Sequence, residues 1–339
     1  MNDAAQSALV EVSGLKVHFP TSDGRETVKA VDGVSFAVQR GETFGVIGES
    51  GSGKTTLGRA IVCLLRPTEG GVRLDGVDPY ALTAGDFRRH RRDFQIVFQD
   101  PNAALNPRLT IGDSVREPMD ILGEGTRADR DRRALQALDR VGLRSEFAGR
   151  YPHELSGGQK QRVNIARVLT LRPQLVVCDE VVAALDVSIR GDVLNLFADL
   201  QREFGLTYIF ITHDLGVVAH VSDRIAVMYL GRIVELAAAE SLVQKPLHPY
   251  TEALLSAEPM PLPSNLRSER RIILEGEIPS PISPPSGCRF RTRCAFAAEI
   301  CRTTEPAWRE FTPGRFVACH FAGSVTGPEA RTENRGRTS

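Results

Sequence analysis

The chain has 339 residues, with 42 Lys+Arg balanced by 42 Asp+Glu, so its formal net charge is zero and the basic surplus of a nucleic-acid binder is missing. Hydrophobic residues at 42% and charged residues at 25% exclude wholesale disorder, and the length suggests about two domains. The richest apolar stretches, Leu171–Val187 and Leu206–Val221, are broken by Arg172, Asp179, Glu180, His213 and Asp214, too often for a membrane span. The opening Met1-Asn2-Asp3-Ala4-Ala5-Gln6 carries no basic or apolar leader pattern, so secretion is not expected.

In chain order, residues 8–20 alternate Leu15, Val17 and Phe19 with Lys16 and His18, which predicts a strand. Thr21–Glu26 is a polar turn, and a second strand is expected near Val34–Val38. Thr43–Ile47 reads as a short buried strand, followed by a Gly/Ser loop and a helix from Lys54 to about Leu65, halted by Pro67. A strand over Phe94–Phe98 follows. From about residue 102 to 170 the apolar residues (Leu135, Leu138, Val141, then Val163, Ile165, Ala166, Leu169) recur at helical spacing, which predicts a helical insertion. Leu175–Cys178 is a buried strand ending in the carboxylates Asp179 and Glu180, and Thr207–Ile211 is another, ending in Thr212-His213-Asp214. Apolar strands alternating with helices imply a parallel α/β sheet with reactive groups at the strand C-termini. Pro259, Pro261 and Pro263, then Pro279, Pro281, Pro284 and Pro285, mark extended chain, and residues from about 323 onward read as a disordered tail.

Gly48-Glu49-Ser50-Gly51-Ser52-Gly53-Lys54-Thr55 matches the phosphate-loop pattern, with Thr56 just beyond it in the first helical turn. Glycines let successive backbone N–H groups turn inward around phosphate oxygens, and the helix behind adds its positive end. Lys54 supplies a mobile charge for the β- and γ-phosphates, and Thr55 a hydroxyl for Mg²⁺. Lys is scarce here, five against 37 Arg, which makes its appearance at position 54 more telling. The alternative, a flexible Gly/Ser linker, does not sit between a buried strand and a helix.

A second anion-binding turn is written in Leu155-Ser156-Gly157-Gly158-Gln159, where Ser156 and two glycines open a helix; an ordinary N-cap is the plainer reading. Its place between the phosphate loop and the Asp179-Glu180 strand end resembles the ATP-binding subunits of ABC transporters. That resemblance implies a P-loop NTPase (RecA-like) fold with an inserted helical subdomain, and a signature segment that closes over ATP held by a second subunit. It further implies that Gln99 is the glutamine sensing Mg²⁺ and γ-phosphate, that Asp179 holds Mg²⁺, and that Glu180 is the catalytic carboxylate. By the same resemblance, Leu185-Asp186 crosses the dimer interface and His213 contacts the γ-phosphate. Read from the residues alone, the alternatives are exposed strand-end charges for Asp179 and Glu180, a solvated amide for Gln99 and a structural role for His213, but a carboxylate pair directly after four apolar residues favours the site reading. Phe19 is placed to stack on adenine, but it shares a strand face with Leu15 and Val17, so a core role is equally open.

Further segments (Phe98-Gln99-Asp100-Pro101, Leu105-Asn106-Pro107-Arg108, Asp186-Val187-Ser188-Ile189, Val227–Gly231 and Leu247-His248-Pro249-Tyr250-Thr251) resemble the oligopeptide/dipeptide importers, over residues 8–322. This implies an ATP-binding domain at 8–250, with its helical subdomain at about 102–170, and a small irregular cysteine-containing domain at 251–322. The implied partners are a paralogous ATPase subunit or a second copy, two membrane permease subunits and, indirectly, a solute-binding protein, at the cytoplasmic face of the membrane. Four of the six cysteines fall in one window as Cys288-x5-Cys294-x6-Cys301-x17-Cys319. A local cluster of this kind points to metal; the resemblance implies a [4Fe–4S] centre, with Zn²⁺ or four unligated thiols as the alternatives. One departure stands out. The family usually has a proline after the catalytic carboxylate and a serine two positions later, where this chain has Val181 and Ala183; slower hydrolysis is the expectation. Two other readings remain open at this point: a soluble ABC ATPase of nucleic-acid repair or translation, and a regulatory subunit with little turnover.

Overall fold

The computed structural model describes residues 8–183, 185–257 and 272–324; Met1–Gln6, Ala184, the prolines Pro259, Pro261 and Pro263, and residues 325–339 of the expected tail lie outside the described residues. The strands are β1 (Val10–Pro20), β2 (Thr27–Val38), β3 (Thr43–Ile47), β4 (Glu69–Leu74), β5 (Phe94–Val97), β6 (Leu175–Asp179), β7 (Thr207–Thr212), β8 (Arg224–Tyr229), β9 (Arg232–Ala238), β10 (Arg309–Thr312) and β11 (Arg315–Val317). The α-helices are α1 (Lys54–Ile61), α2 (Ala84–His90), α3 (Pro101–Ala104), α4 (Ile111–Leu122), α5 (Arg127–Arg140), α6 (Gly157–Leu169), α7 (Val187–Phe204), α8 (Leu215–Val221), α9 (Ala239–Gln244), α10 (Pro249–Ala257) and α11 (Glu299–Thr303). The chain forms two compact units, one of Met1–Glu11, Ala37–Glu42 and Arg73–Phe210, the other of Val12–Phe36, Thr43–Val72 and Ile211–Ser339.

In the first unit β5 and β6 pair in parallel, Phe94 opposite Leu175 and Val97 opposite Cys178. Every residue of β6 is buried, the pattern of a parallel strand covered on both faces. Residues 98–174 are helical and contain no strand, as their 3.6-residue spacing predicts, and α4, α5 and α6 pack on one another. Ile111, Val115, Met119, Leu138, Val141 and Val163 form that interior, all at 0% exposure. Thr110 and Thr126 cap α4 and α5 through the N–H groups of Asp113 and Asp129, and Gly123, at φ +70, ends α4. Leu135, on the same helical pattern, is instead exposed.

In the second unit the larger sheet runs β10-β11-β9-β8-β3, with β3–β8 parallel and the other pairs antiparallel. A smaller sheet has the order β2-β1-β4. Alternation along β1 is not uniform. Val10 and Val12 are buried, then Leu15 and Val17, because Gly14 at φ +55 inserts a step that shifts the inward face by one residue. Phe19 continues the Leu15–Val17 phase but lies at the strand end and is 36% exposed, so the core role is not the one it takes. The helix after the phosphate loop is shorter than its apolar pattern suggests: α1 ends at Ile61, and Cys63 turns the chain at φ +59. β2 begins at Thr27, seven residues before the expected Val34.

Candidate functional site

The phosphate loop lies in the second unit between β3, buried along its whole length, and α1. Two of its glycines are forced by close backbone approach. A Cβ on Gly48 would lie 2.2 Å from the carbonyl oxygen of Met228, and one on Gly53 would lie 2.0 Å from that of Ala30. Gly53 occupies the N-cap of α1 in the left-handed region and provides no side-chain cap, and the positive end of the helix faces the loop. Lys54 is 5% exposed. Its ammonium donates to the carbonyl oxygens of Gly48 at 2.7 Å and Glu49 at 2.9 Å, which folds the lysine back across the loop. The N–H of Gly231, in the turn between β8 and β9, donates to the Ser52 carbonyl at 2.9 Å and fixes the far side of the loop.

A group that the sequence did not single out anchors the loop from behind. The Arg293 guanidinium donates to both carboxylate oxygens of Glu49, at 2.6 and 3.0 Å, and the Tyr250 hydroxyl accepts from the Glu49 N–H at 2.9 Å. Leu247–Thr251 was noticeable as a motif, but nothing in it signalled that Tyr250 reaches position 49. Exposed His213, just past the end of β7, lies in the second unit, and Asp214 next to it caps α8 through the N–H of Val217.

In the first unit β6 delivers Asp179, 2% exposed, and then Glu180. Glu180 adopts φ +51, a strained backbone for a non-glycine residue, directly before Val181. Val181 and Val182 are buried, at 4% and 2% exposure, so apolar packing fixes the chain where the family pattern has proline. The Gln99 side-chain amide donates to a carboxylate oxygen of Glu180 at 2.7 Å, joining two sequence-expected site residues. Asp186 opens α7 in an extended conformation. Arg190, which sequence reasoning missed, donates to the carbonyl oxygens of Leu185 at 2.9 Å and Ala183 at 3.4 Å and ties this segment to the start of α7.

Ser156 is both cap and candidate ligand. Its hydroxyl oxygen accepts from the Gln159 N–H at 3.3 Å, and the Gln159 side chain accepts from the Ser156 N–H at 2.9 Å, a capping box at the start of α6. The hydroxyl hydrogen is not consumed by that bond, so the cap and the anion-binding reading are compatible. Gly157 is exposed, and a Cβ there meets open space; Gly158 is buried, where a Cβ would come 3.0 Å from the Ile189 side chain.

Cys288, Cys294, Cys301 and Cys319 line one small cavity of about 20 Å³, together with His248 and His320. Backbone N–H groups of Phe290 and Arg291 serve the Cys288 sulfur, Phe296 that of Cys294 and Phe321 that of Cys319. Burial pushes the Cys294 thiol up to about 12 and the Cys319 thiol up to about 11. Among the described residues, however, no three His, Cys, Asp or Glu side chains are placed to hold a metal ion. His248, 1% exposed, accepts the Tyr250 N–H on Nδ1 at 3.1 Å, which places its proton on Nε2. Phe290 beside it joins the core of the second unit, with ring centroids 5.3 Å from both Tyr229 and Tyr250.

Likeness to known proteins fixes the family. The ABC transporter pattern matches residues 31–183, and the pattern for the oligopeptide/dipeptide transporter C-terminal region matches 234–301. A protein of Brucella ovis, provisionally named a peptide import ATP-binding protein, is 52% identical over 314 residues, covering 93% of this chain and 98% of its own. The oligopeptide transport ATP-binding protein AppF of Bacillus subtilis is 49% identical over 327 residues, covering 95% and 99%. The chain belongs to the ABC transporter ATP-binding family. Its fold is that of the ABC ATPase cassettes: the cassette MJ0796, in a dimeric structure of a post-hydrolysis state bound to ADP and Pi, superposes with TM-score 0.62 at 33% identity, covering 68% of this chain and 98% of that one. As an ABC ATPase the chain binds ATP. No helix among its described residues is long and apolar enough to cross a membrane.

Proposed function

We propose that this ABC ATPase is the ATP-binding and ATP-hydrolysing subunit of an importer for short peptides or related small solutes. It works at the cytoplasmic face of the membrane, paired with a paralogous ATPase or a second copy, beneath two permease subunits. The observation that carries this reading is the near full-length likeness to relatives named for peptide and oligopeptide transport, including the C-terminal region at 234–301.

The residues are assigned as follows. The loop from Gly48 to Thr56 takes the triphosphate on its amides, and Lys54 turns from its carbonyl partners to the β- and γ-phosphates. The hydroxyl of Thr55 and the carboxylate of Asp179 are hard oxygen donors suited to Mg²⁺, which supplies charge neutralisation of the phosphates. Glu180 orients and deprotonates the attacking water, and Gln99, hydrogen-bonded to it, holds the carboxylate in place. His213 contacts the γ-phosphate, and Phe19, exposed at its strand end, stacks on adenine. Ser156, Gly157 and Gly158, with Gln159 completing the capping box, meet the γ-phosphate of the other subunit, and Asp186 crosses between subunits. ATP then favours the closed pair because its γ-phosphate makes contacts available only in that state.

Although no three of these side chains stand in metal-holding positions among the described residues, we propose that the four-cysteine cavity takes a [4Fe–4S] centre, with Zn²⁺ as the alternative, which Cys288, Cys294, Cys301 and Cys319 would hold as thiolates in a structural role. Supporting this are the four thiols on one cavity and the backbone N–H groups directed at the sulfurs. An absorption spectrum of anaerobically purified protein tests it; absence of a broad visible band from protein with intact cysteines would remove the assignment.

ATPase activity measured on membranes with and without the permease pair tests the main reading. Activity that depends on the permeases is expected. Stimulation by DNA or ribosomes instead would favour a soluble ABC ATPase. Nucleotide binding without turnover would favour a regulatory subunit, the reading that Val181 and Ala183 point toward.

A further inference from the structure

Glu49 is the second residue of the phosphate loop, and a carboxylate there sets a negative charge beside amides that must receive a triphosphate. Its carbonyl oxygen also accepts from Lys54 at 2.9 Å, so any movement of Glu49 moves a partner of the lysine. The structure closes both problems with one side chain. The Arg293 guanidinium, 7% exposed, lies in bidentate contact with the Glu49 carboxylate, itself 25% exposed. Fully buried Tyr250 takes the Glu49 N–H. Arg293 is held by its own turn: its N–H donates to the Phe290 carbonyl at 3.0 Å, and the Phe290 ring is locked between Tyr229 and Tyr250.

We propose that Arg293 is a positioning residue for the phosphate loop, neutralising and immobilising Glu49 so that the turn between Cys288 and Cys294 sets the affinity for ATP. This rests on the ATPase reading and extends it. The Arg293 side chain reaches the loop from 244 positions away in sequence, and the effect is on binding rather than on the water-attack step. It therefore appears in Kd and KM, with kcat preserved.

The test is calorimetric titration of the full chain with ATP and Mg²⁺, together with steady-state ATPase kinetics. Arg293→Gln is expected to raise Kd and KM for ATP about tenfold with kcat within about twofold. In Glu49→Gln/Arg293→Gln the unpaired carboxylate is gone, so this double variant is expected to bind ATP more tightly than Arg293→Gln alone. A residue that merely supports the fold would give no such recovery. Unchanged affinity in Arg293→Gln, or a double variant no better than the single, overturns the proposal. Should Arg293→Gln fail to fold, Arg293→Lys keeps the charge and loses the bidentate contact; about threefold weaker binding supports the proposal and unchanged binding overturns it. Lys54→Ala separates the two levels. If the wild type binds ATP, Lys54→Ala does not, and Arg293→Gln binds normally, only the positioning role falls. A wild type that binds no ATP sinks the ATPase reading itself.

Discussion

The amide of Gln99 and the carboxylate of Glu180 share a hydrogen bond of 2.7 Å although 81 positions separate them. In the role proposed for Glu180, aiming at a water, a fixed orientation is a gain, and this bond supplies one without neutralising the carboxylate. Glu180→Gln is expected to lower kcat more than a hundredfold while ATP still binds, because the base is lost but the phosphate loop is untouched. Gln99→Ala removes only the orienting partner and should cost about tenfold in kcat with KM within about twofold. Single-turnover assays beside nucleotide titrations separate the two; full turnover by Glu180→Gln would remove it as the base.

The glycines of the phosphate loop divide by what a Cβ would strike. Gly48→Ala and Gly53→Ala each drive a methyl to within 2.2 Å of a backbone carbonyl oxygen, at positive φ, and neither carbonyl can swing aside. Each should destabilise the fold by about 3 kcal/mol or more. Gly157→Ala, which meets open space, should leave stability within about 0.5 kcal/mol. Urea denaturation of the three variants is the measurement, and equal stabilities would contradict the packing described.

A pH dependence follows from His248. Burial lowers its pKa from 6.5 to about 3 in the folded chain. Between those two values the unfolded chain takes up a proton that the folded chain does not, so stability falls as pH drops below about 6.5. The loss at pH 5 relative to pH 7.5 is about 2 kcal/mol from this group. His248→Asn, whose side-chain oxygen can stand in for Nδ1 toward the Tyr250 N–H, should flatten that slope. An unaltered slope in the variant would show that other groups produce it.

The buried thiols make a prediction of their own. With pKa values near 12 for Cys294 and 11 for Cys319, almost no thiolate exists at pH 8 in folded, metal-free protein. Both should react with iodoacetamide about a hundredfold or more slowly than free cysteine, and promptly once urea unfolds the chain. Peptide mapping by mass spectrometry reads this directly; rapid native labelling of either would contradict their burial.

Much of the candidate site was legible because its signals are contiguous. Thr43–Thr55 encodes strand, turn and helix start through local sterics alone, and the apolar runs before Asp179 and His213 announce buried strands ending in polar groups. The helical region between 102 and 170 was legible from period alone. β8 and β9 were not, since a short buried antiparallel pair carries no periodicity distinguishing it from other apolar segments. Phe19 was undecided because alternation gives a face but not how far the neighbouring layer extends.

By itself the sequence determined the phosphate loop, the signature turn and the carboxylate pair, since each depends on the backbone preferences and chemistry of a few adjacent residues. Only the tertiary structure decided which distant side chains serve them: Arg293 and Tyr250 on Glu49, and Gln99 on Glu180. Such pairings come from the way buried aromatic rings and strands pack, and packing is a property of the whole folded chain that no short stretch of residues records.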